Sequence, residues 1–339
     1  MFVICPHCSA NLLRRERGDR RCSTCGRSFA LEPKESPLGL HDLRLRRLVD
    51  RLRDERELRY TAAQLWYAAS RTKLPDGLGL FRGVRLAVCA TVVGFGLLVW
   101  LGGASGFAAI VVTAVLVVLA VLGMRRVRPW FAERAVIRMP VPYDSFRADV
   151  IGAWAHTYGA APPGVVDENT IRPPAVDDPR YAVLCQDRSV LACLSANDVA
   201  GTWSMLVTER MDLLPADIPV FLLHDASVRG VTFAVDARAA LGSRAVTVGL
   251  LPHTVAMSRS ALRLREPWHG DADLDRLRRE GLPESGIEWL AEGWWAPIAA
   301  VPPAKLLSAL GRAIERVDAA GDPDHDRARR IGFLSWPTG

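Results

Sequence analysis

The run LAVCATVVGFGLLVWLGGASGFAAIVVTAVLVVLAVLGM, Leu86 to Met124, decides the layout of the chain: 39 consecutive residues contain no Asp, Glu, Lys, Arg or His. At about 1.5 Å per helical residue, one straight helix of that length would be roughly twice as long as a bilayer's hydrocarbon core is thick. The run must therefore turn. Gly102-Gly103-Ala104-Ser105-Gly106 is the turn material, and it divides the segment into Leu86–Leu101 and Phe107–Met124, each near the length of one spanning helix. Neither half carries a polar stripe, so the run reads as a transmembrane helical hairpin over 86–124, with the lipid bilayer as its first partner.

Charge is uneven around this hairpin. Residues 1–128 hold 21 Lys and Arg against 10 Asp and Glu, whereas residues 129–339 hold 22 against 27. Arg82 and Arg85 precede the uncharged run and Arg125, Arg126 and Arg128 come after it. The positive-inside rule then predicts a multi-pass protein of the cell membrane with both termini cytoplasmic and the glycine turn outside. No cleavable signal sequence is expected at this start: Met1 to Cys8 is short, lacks a basic start and runs into a cysteine pair. Of the seven cysteines, four cluster near the N-terminus, Cys89 falls in the first span, and Cys185 and Cys193 sit in apolar surroundings expected of core residues.

Cys5-Pro6-His7-Cys8 and Cys22-Ser23-Thr24-Cys25-Gly26, thirteen residues apart, form the sharpest motif. A C-x2-C knuckle lets two thiolates reach one ion while backbone amides point at the sulfurs, and two knuckles complete a tetrahedral four-cysteine site. The pattern resembles the zinc ribbons found at the N-termini of many bacterial proteins and covers residues 1–31, with Phe29 and Leu31 as expected packing residues. It implies structural Zn2+ on Cys5, Cys8, Cys22 and Cys25, because four thiolates leave no open coordination position. His7, between two ligands, is expected to be exposed rather than bound. Between the knuckles, Arg14, Arg15, Arg17, Arg20 and Arg21 are expected to face solvent, as an ordinary hairpin tip or as phosphate contacts to a nucleic acid.

After a Pro33–Pro37 linker, Leu40, Leu43, Leu45, Leu48, Val49 and Leu52 recur at three- and four-residue spacing among arginines. This predicts an amphipathic juxtamembrane helix within 38–73, continued by Leu58, Leu65 and Trp66. Its partner is the membrane interface, a second copy in a homo-oligomer, or the cytoplasmic domain. Interspersed Asp50, Asp54, Glu55 and Glu57 favour packing or oligomerisation over lipid.

Residues 140–320 read as an α/β cytoplasmic domain, with 321–339 as a loose tail. A helix over Tyr143–Tyr158 leads into strands at Tyr181–Cys185, Trp203–Thr208, Ile218–Leu223 and Ala245–Leu250. These alternate with helices at Ser189–Asn197, Ser227–Leu241 and Thr254–Arg263, and a last helix spans Ala304–Ala319. That order predicts a parallel sheet covered on both faces, with chemistry beyond the carboxyl ends of the strands. Gln186-Asp187 and His224-Asp225 stand at two such ends. His224 is expected to be incidental, because adjacent strand residues point to opposite faces. Trp289, Trp294 and Trp295 are expected to pack the end of the sheet or an interface.

The run Ile218-Pro219-Val220-Phe221-Leu222-Leu223-His224-Asp225-Ala226-Ser227-Val228-Arg229-Gly230 resembles the D-x-D-x-x-G segment of Toprim domains, particularly those of topoisomerase VI A subunits. Val183–Leu191, Val248–Pro252 and Gly286–Leu290 are similar to neighbouring elements, so the resemblance covers about residues 178–292. It implies a Rossmann-like fold in which a glutamate and two aspartates hold Mg2+ at a phosphodiester. This chain has Gln186, Asp225 and Ser227 at those positions, so the resemblance implies a degenerate site. Asp187, beside Gln186, is the acid that could substitute, and Glu288 in the later helix is a further candidate for an altered site. DNA strand passage is not expected, since no winged-helix segment with a nucleophilic tyrosine fits between Pro140 and Arg180.

The sequence thus points to a membrane-anchored, non-catalytic binding or regulatory protein whose partner is a nucleic acid, a protein or a small ligand. The alternatives are a Mg2+-dependent nuclease or phosphodiesterase using Asp225, Asp187 and Glu288, and an oligomeric membrane scaffold.

Overall fold

Two tight knuckles open the chain. In the computed structural model, which describes residues 2–75, 77, 79–102, 106–266 and 270–321, Val3–Ile4 (β1) and Asn11–Leu12 (β2) pair antiparallel. Cys5 and Cys22 are buried with Leu12 in a core too small to hold a fold by apolar contacts alone. The module docks on the helical segments beyond it. The Asp42 carboxylate accepts hydrogen bonds from the N–H groups of Ala30 (2.9 Å) and Leu31 (2.8 Å) and from the Tyr158 hydroxyl.

Asp42 opens the amphipathic helix α1 (Asp42–Arg53), whose Leu45, Val49 and Leu52 are buried. The expected single helix up to residue 73 is instead two. The chain turns where Asp54 and Glu57 take left-handed φ values of 55° and 54°, forms β3 (Tyr60–Thr61), and starts α2 (Ala62–Ser70). Thr61 and Gln64 make a capping box there: Thr61 Oγ1 accepts from the Gln64 N–H and Gln64 Oε1 from the Thr61 N–H. The apolar faces of both helices pack with Phe146, Val150 and Trp154 of the later chain. Within the chain, the contact of both helices is with the α/β half.

The hydrophobic run forms α3 (Gly79–Leu101) and α4 (Gly106–Glu133). Both outrun the uncharged segment, since arginine is a good helix former and a bilayer border does not end a helix. Arg82 and Arg85 therefore lie within α3, and α4 continues through Arg125, Arg126, Arg128 and Pro129. Phe81–Leu101 and Ile110–Phe131 have mean hydropathies of 2.1 and 2.3, with 6% of each buried. They are long and apolar enough to cross a membrane, and they are not the core of a larger unit. The helices approach closely at Gly96, where any Cβ would overlap the Thr113 side chain. The centre of the turn, residues 103–105, lies outside the described residues, as do residues 322–339 of the expected tail.

α5 (Tyr143–Phe146), a π-helical turn at Arg147–Gly152 and α6 (Ala153–Tyr158) form the predicted helix, ended by Gly159 at φ 78°. β4 (Val165–Val166) pairs in parallel with β3, stitching the N-terminal half to the α/β half. The main sheet and its helices come next: β5 (Tyr181–Cys185), α7 (Arg188–Ala196), α8 (Val199–Trp203), β6 (Met205–Thr208), β7 (Val220–Leu223), α9 (Val228–Leu241) and β8 (Ala245–Thr247). Its order is β6-β5-β7-β8, all parallel. Successive residues face opposite sides, as a strand requires. Val183, Phe221 and Leu223 pack under α7, whereas Ala182, Leu184, Val220 and Leu222 pack under α9. Both faces are thus covered, which explains why these strands read as continuous apolar runs.

α10 (Pro252–Met257) is shorter than the expected helix to Arg263, because Leu264–Arg265 (β9) leaves to form a separate ladder. After α11 (Asp271–Arg279) and α12 (Glu284–Ala291), β10 (Trp294–Trp295) pairs antiparallel with β9. Helix α13 (Pro303–Gly321) packs against the α7 side of the sheet, with Leu306, Leu310 and Ile314 buried there.

Candidate functional site

The sheet order places a switch point between β5 and β7: the chain leaves β5 for β6 on one side and returns to β7 on the other. Loops at such a point diverge and leave a crevice beyond the carboxyl ends of the strands. Here the crevice is a cleft of about 610 Å³, bordered by Gln186, Asp187, Asp225, Ser227 and Gly230. Four of the five are positions that sequence reasoning singled out for a degenerate site, and Asp187 is the neighbour offered as a substitute.

Three polar side chains at the floor already have a structural task. Asp187 caps α7, its Oδ1 accepting from the Val190 N–H at 3.0 Å. Ser227 caps α9 in the same way, its Oγ accepting from the Gly230 N–H at 3.0 Å. Asp225 Oδ1 accepts from the backbone N–H of Ile298 at 2.6 Å. Gly230 is required by space: a Cβ there would stand 2.5 Å from the Asp225 carbonyl oxygen. Burial pushes the Asp225 carboxyl up to about 6, against the Ile298 N–H that favours its charge, and the negative Asp187 adds to the rise. Asp187 is likewise raised by burial, against the N–H groups of Val190 and Ser189.

His224 is buried, with Nδ1 against the Asp225 backbone carbonyl at 2.9 Å rather than the carboxylate. Burial lowers its pKa, which favours the neutral ring, against the Asp225 backbone contact. It fills the space left by Gly249, where a Cβ would overlap the ring. The ring thus packs against Gly249 and also borders the cleft.

The wall opposite the sheet was less legible. Trp294 and Trp295 are half-buried there, so besides packing they line the cleft, whereas Trp289 is buried in the core beneath. Glu266 and Arg229 also border the cleft. Glu266 stands in no motif, and Arg229 occupies a variable position of the D-x-D-x-x-G-like run, so no sequence signal marked either as a cleft residue. Glu288 is exposed on α12 and is not at the cleft. Among the described residues, no third acid joins Asp187 and Asp225 in a cluster tight enough for a cation.

The cysteines do form such a cluster. The Sγ atoms of Cys5, Cys8, Cys22 and Cys25 all lie within 4.8 Å of one another, a spacing that can hold a metal ion such as zinc. The His7 N–H points at Cys5 Sγ (3.4 Å), as a knuckle amide should, while its ring Nε2 meets the Ser28 carbonyl at 2.8 Å, outside the ligand set. The arginine tip departs from expectation. Arg17 is buried and its Nη1 is 2.7 Å from Glu32 Oε2; Arg20 meets Glu35 at 2.9 Å and the Ala30 carbonyl at 3.2 Å. Arg14, Arg15 and Arg21 are exposed, so three of the five arginines are left for phosphate.

The chain matches no protein-family model, no curated protein and no solved structure. The reading of its function therefore rests on the geometry of the cleft, the cysteine cluster and the apolar hairpin.

Proposed function

We propose that this is a membrane-anchored binding protein without catalytic activity. Its cysteine module holds structural Zn2+, and its Toprim-like cleft takes up a ligand or partner at the cytoplasmic membrane surface. One observation carries the reading: each of the two acids at the cleft floor has its Oδ1 engaged by a backbone N–H group, and Gln186 and Ser227 stand in the positions where a Toprim enzyme needs acids. A hard cation needs several free oxygens at one point. The apolar exposure of α3 and α4 supports the anchor, and the flanking arginines support a cytoplasmic location for both termini.

The expected outcome is that the full chain fractionates with membranes, carries one zinc, and cleaves neither DNA nor RNA under a panel of divalent metals.

A second reading, a metal-dependent nuclease or phosphodiesterase, is favoured by one feature. Asp225, raised to about 6, shares the cleft with Asp187 and Glu266. Mg2+- or Mn2+-dependent cleavage that disappears in Asp225→Ala would establish it in place of the first.

A further inference from the structure

Where α3 and α4 come together at their charged ends, Arg82 and Arg85 on one helix and Arg125 and Arg128 on the other border a cavity of about 480 Å³. Each pair is spaced i, i+3, so both of its members lie on one helix face and the two faces meet. The cavity has an apolar side, made by Phe81, Val121 and Met124. From Gly77 to Ala132 the sequence has no acidic residue. Among the described residues, no carboxylate pairs with Arg85, Arg125 or Arg128. Trp130, exposed one turn beyond with Arg134 over its ring at 4.3 Å, suits the headgroup level of a bilayer.

We propose that this cavity is a binding site for the phosphate headgroup of an anionic lipid. The guanidinium groups take the phosphate oxygens and the apolar side takes the start of an acyl chain. Guanidinium forks match phosphate oxygens in pairs, and basic pockets between spanning helices on the cytoplasmic side suit such headgroups. The proposal rests on the membrane-anchored reading but not on what the distant cleft does. Arg126 supplies the internal contrast: it stands between Arg125 and Arg128 in sequence but does not border the cavity.

The test uses the full chain in detergent micelles, with native mass spectrometry reading retained lipid. Phosphatidylglycerol is expected to be retained over phosphatidylcholine, with a loss of about fivefold for each of Arg85→Ala and Arg128→Ala. Arg126→Ala should leave retention unchanged. Equal retention of phosphatidylcholine, or an equal loss in Arg126→Ala, would overturn the site in favour of diffuse surface charge. Displacement of the lipid by millimolar inorganic phosphate would overturn it in favour of a free-phosphate site. Membrane fractionation of the same variants separates the two readings. If the wild-type chain is not in the membrane, the anchor fails and the site with it. If the chain is in the membrane but shows no lipid preference, the site alone fails.

Discussion

Asp225 Oδ1 and the backbone nitrogen of Ile298 stand 2.6 Å apart across 73 residues of chain. The bond ties the end of a central strand to the segment that leads into the last helix. Next to it, Ala226 and Ala296 exchange both backbone hydrogen bonds at 3.0 Å. The same closure brings Trp294 and Trp295 against the cleft. The cleft wall also connects to the hairpin: Ile137, just beyond α4, exchanges backbone bonds of 2.9 and 3.0 Å with Arg265, next to Glu266.

The raised Asp225 carboxyl sets a pH dependence. Its folded value of about 6 lies above the unfolded value near 3.8, so the folded state binds the extra proton between those limits. The contribution to stability is complete below about 4 and is lost as pH rises through 6, on the order of 3 kcal/mol. Asp225→Asn keeps the acceptor for Ile298 and removes the charge. It is expected to raise thermal stability at pH 7.5 and to leave it unchanged at pH 4, as followed by melting of the full chain in detergent.

Arg17 and Glu32 form a buried pair. Truncating one member of such a pair costs about 3–5 kcal/mol, because the other charge is left without a partner in a dry site. Arg17→Ala should therefore loosen the cysteine module and speed proteolysis before residue 42. Arg15→Ala, at an exposed position, should stay within about 0.5 kcal/mol of the wild type. Equal proteolysis rates for the two variants would contradict the assignment.

Metal removal should act locally. A module with so small a core would depend on a bound ion for folding. A thiol-competitive chelator, or Cys22→Ser, is expected to expose residues 1–31 to protease. The α/β half, whose core is separate, should keep its melting transition. Elemental analysis before and after treatment should show the loss of one zinc per chain.

Gly96 permits the close approach of α3 to Thr113, whereas a Cβ on Gly94 would meet nothing within 4 Å. Gly96→Leu should force the helices apart at a cost of about 1–3 kcal/mol, and Gly94→Leu should be tolerated. The melting temperature in detergent and the migration of the hairpin on a denaturing gel would distinguish the two.

Local patterns were enough for the broad organisation. The uncharged run with its glycine interruption specifies two apolar helices, because length and hydropathy are additive along the chain. The two C-x2-C pairs specify a four-thiol cluster, because ligand spacing is a property of a short loop. The apolar strands alternating with helices specify a parallel sheet covered on both faces, and the ends of two of its strands mark the cleft.

What the tertiary structure alone decided is how separate segments meet. The arginine tip read as solvated, yet Arg17 is buried on a glutamate fifteen residues away. The amphipathic segment read as one helix, yet it breaks at Asp54 and packs on the α/β half. Glu266 joined the cleft with no motif to announce it, and Glu288 did not reach it. The physical reason is common to all four. Periodicity and spacing report which residues share a face or a loop, but burial, ion pairing and convergence on a site depend on long-range packing, to which those local patterns are blind.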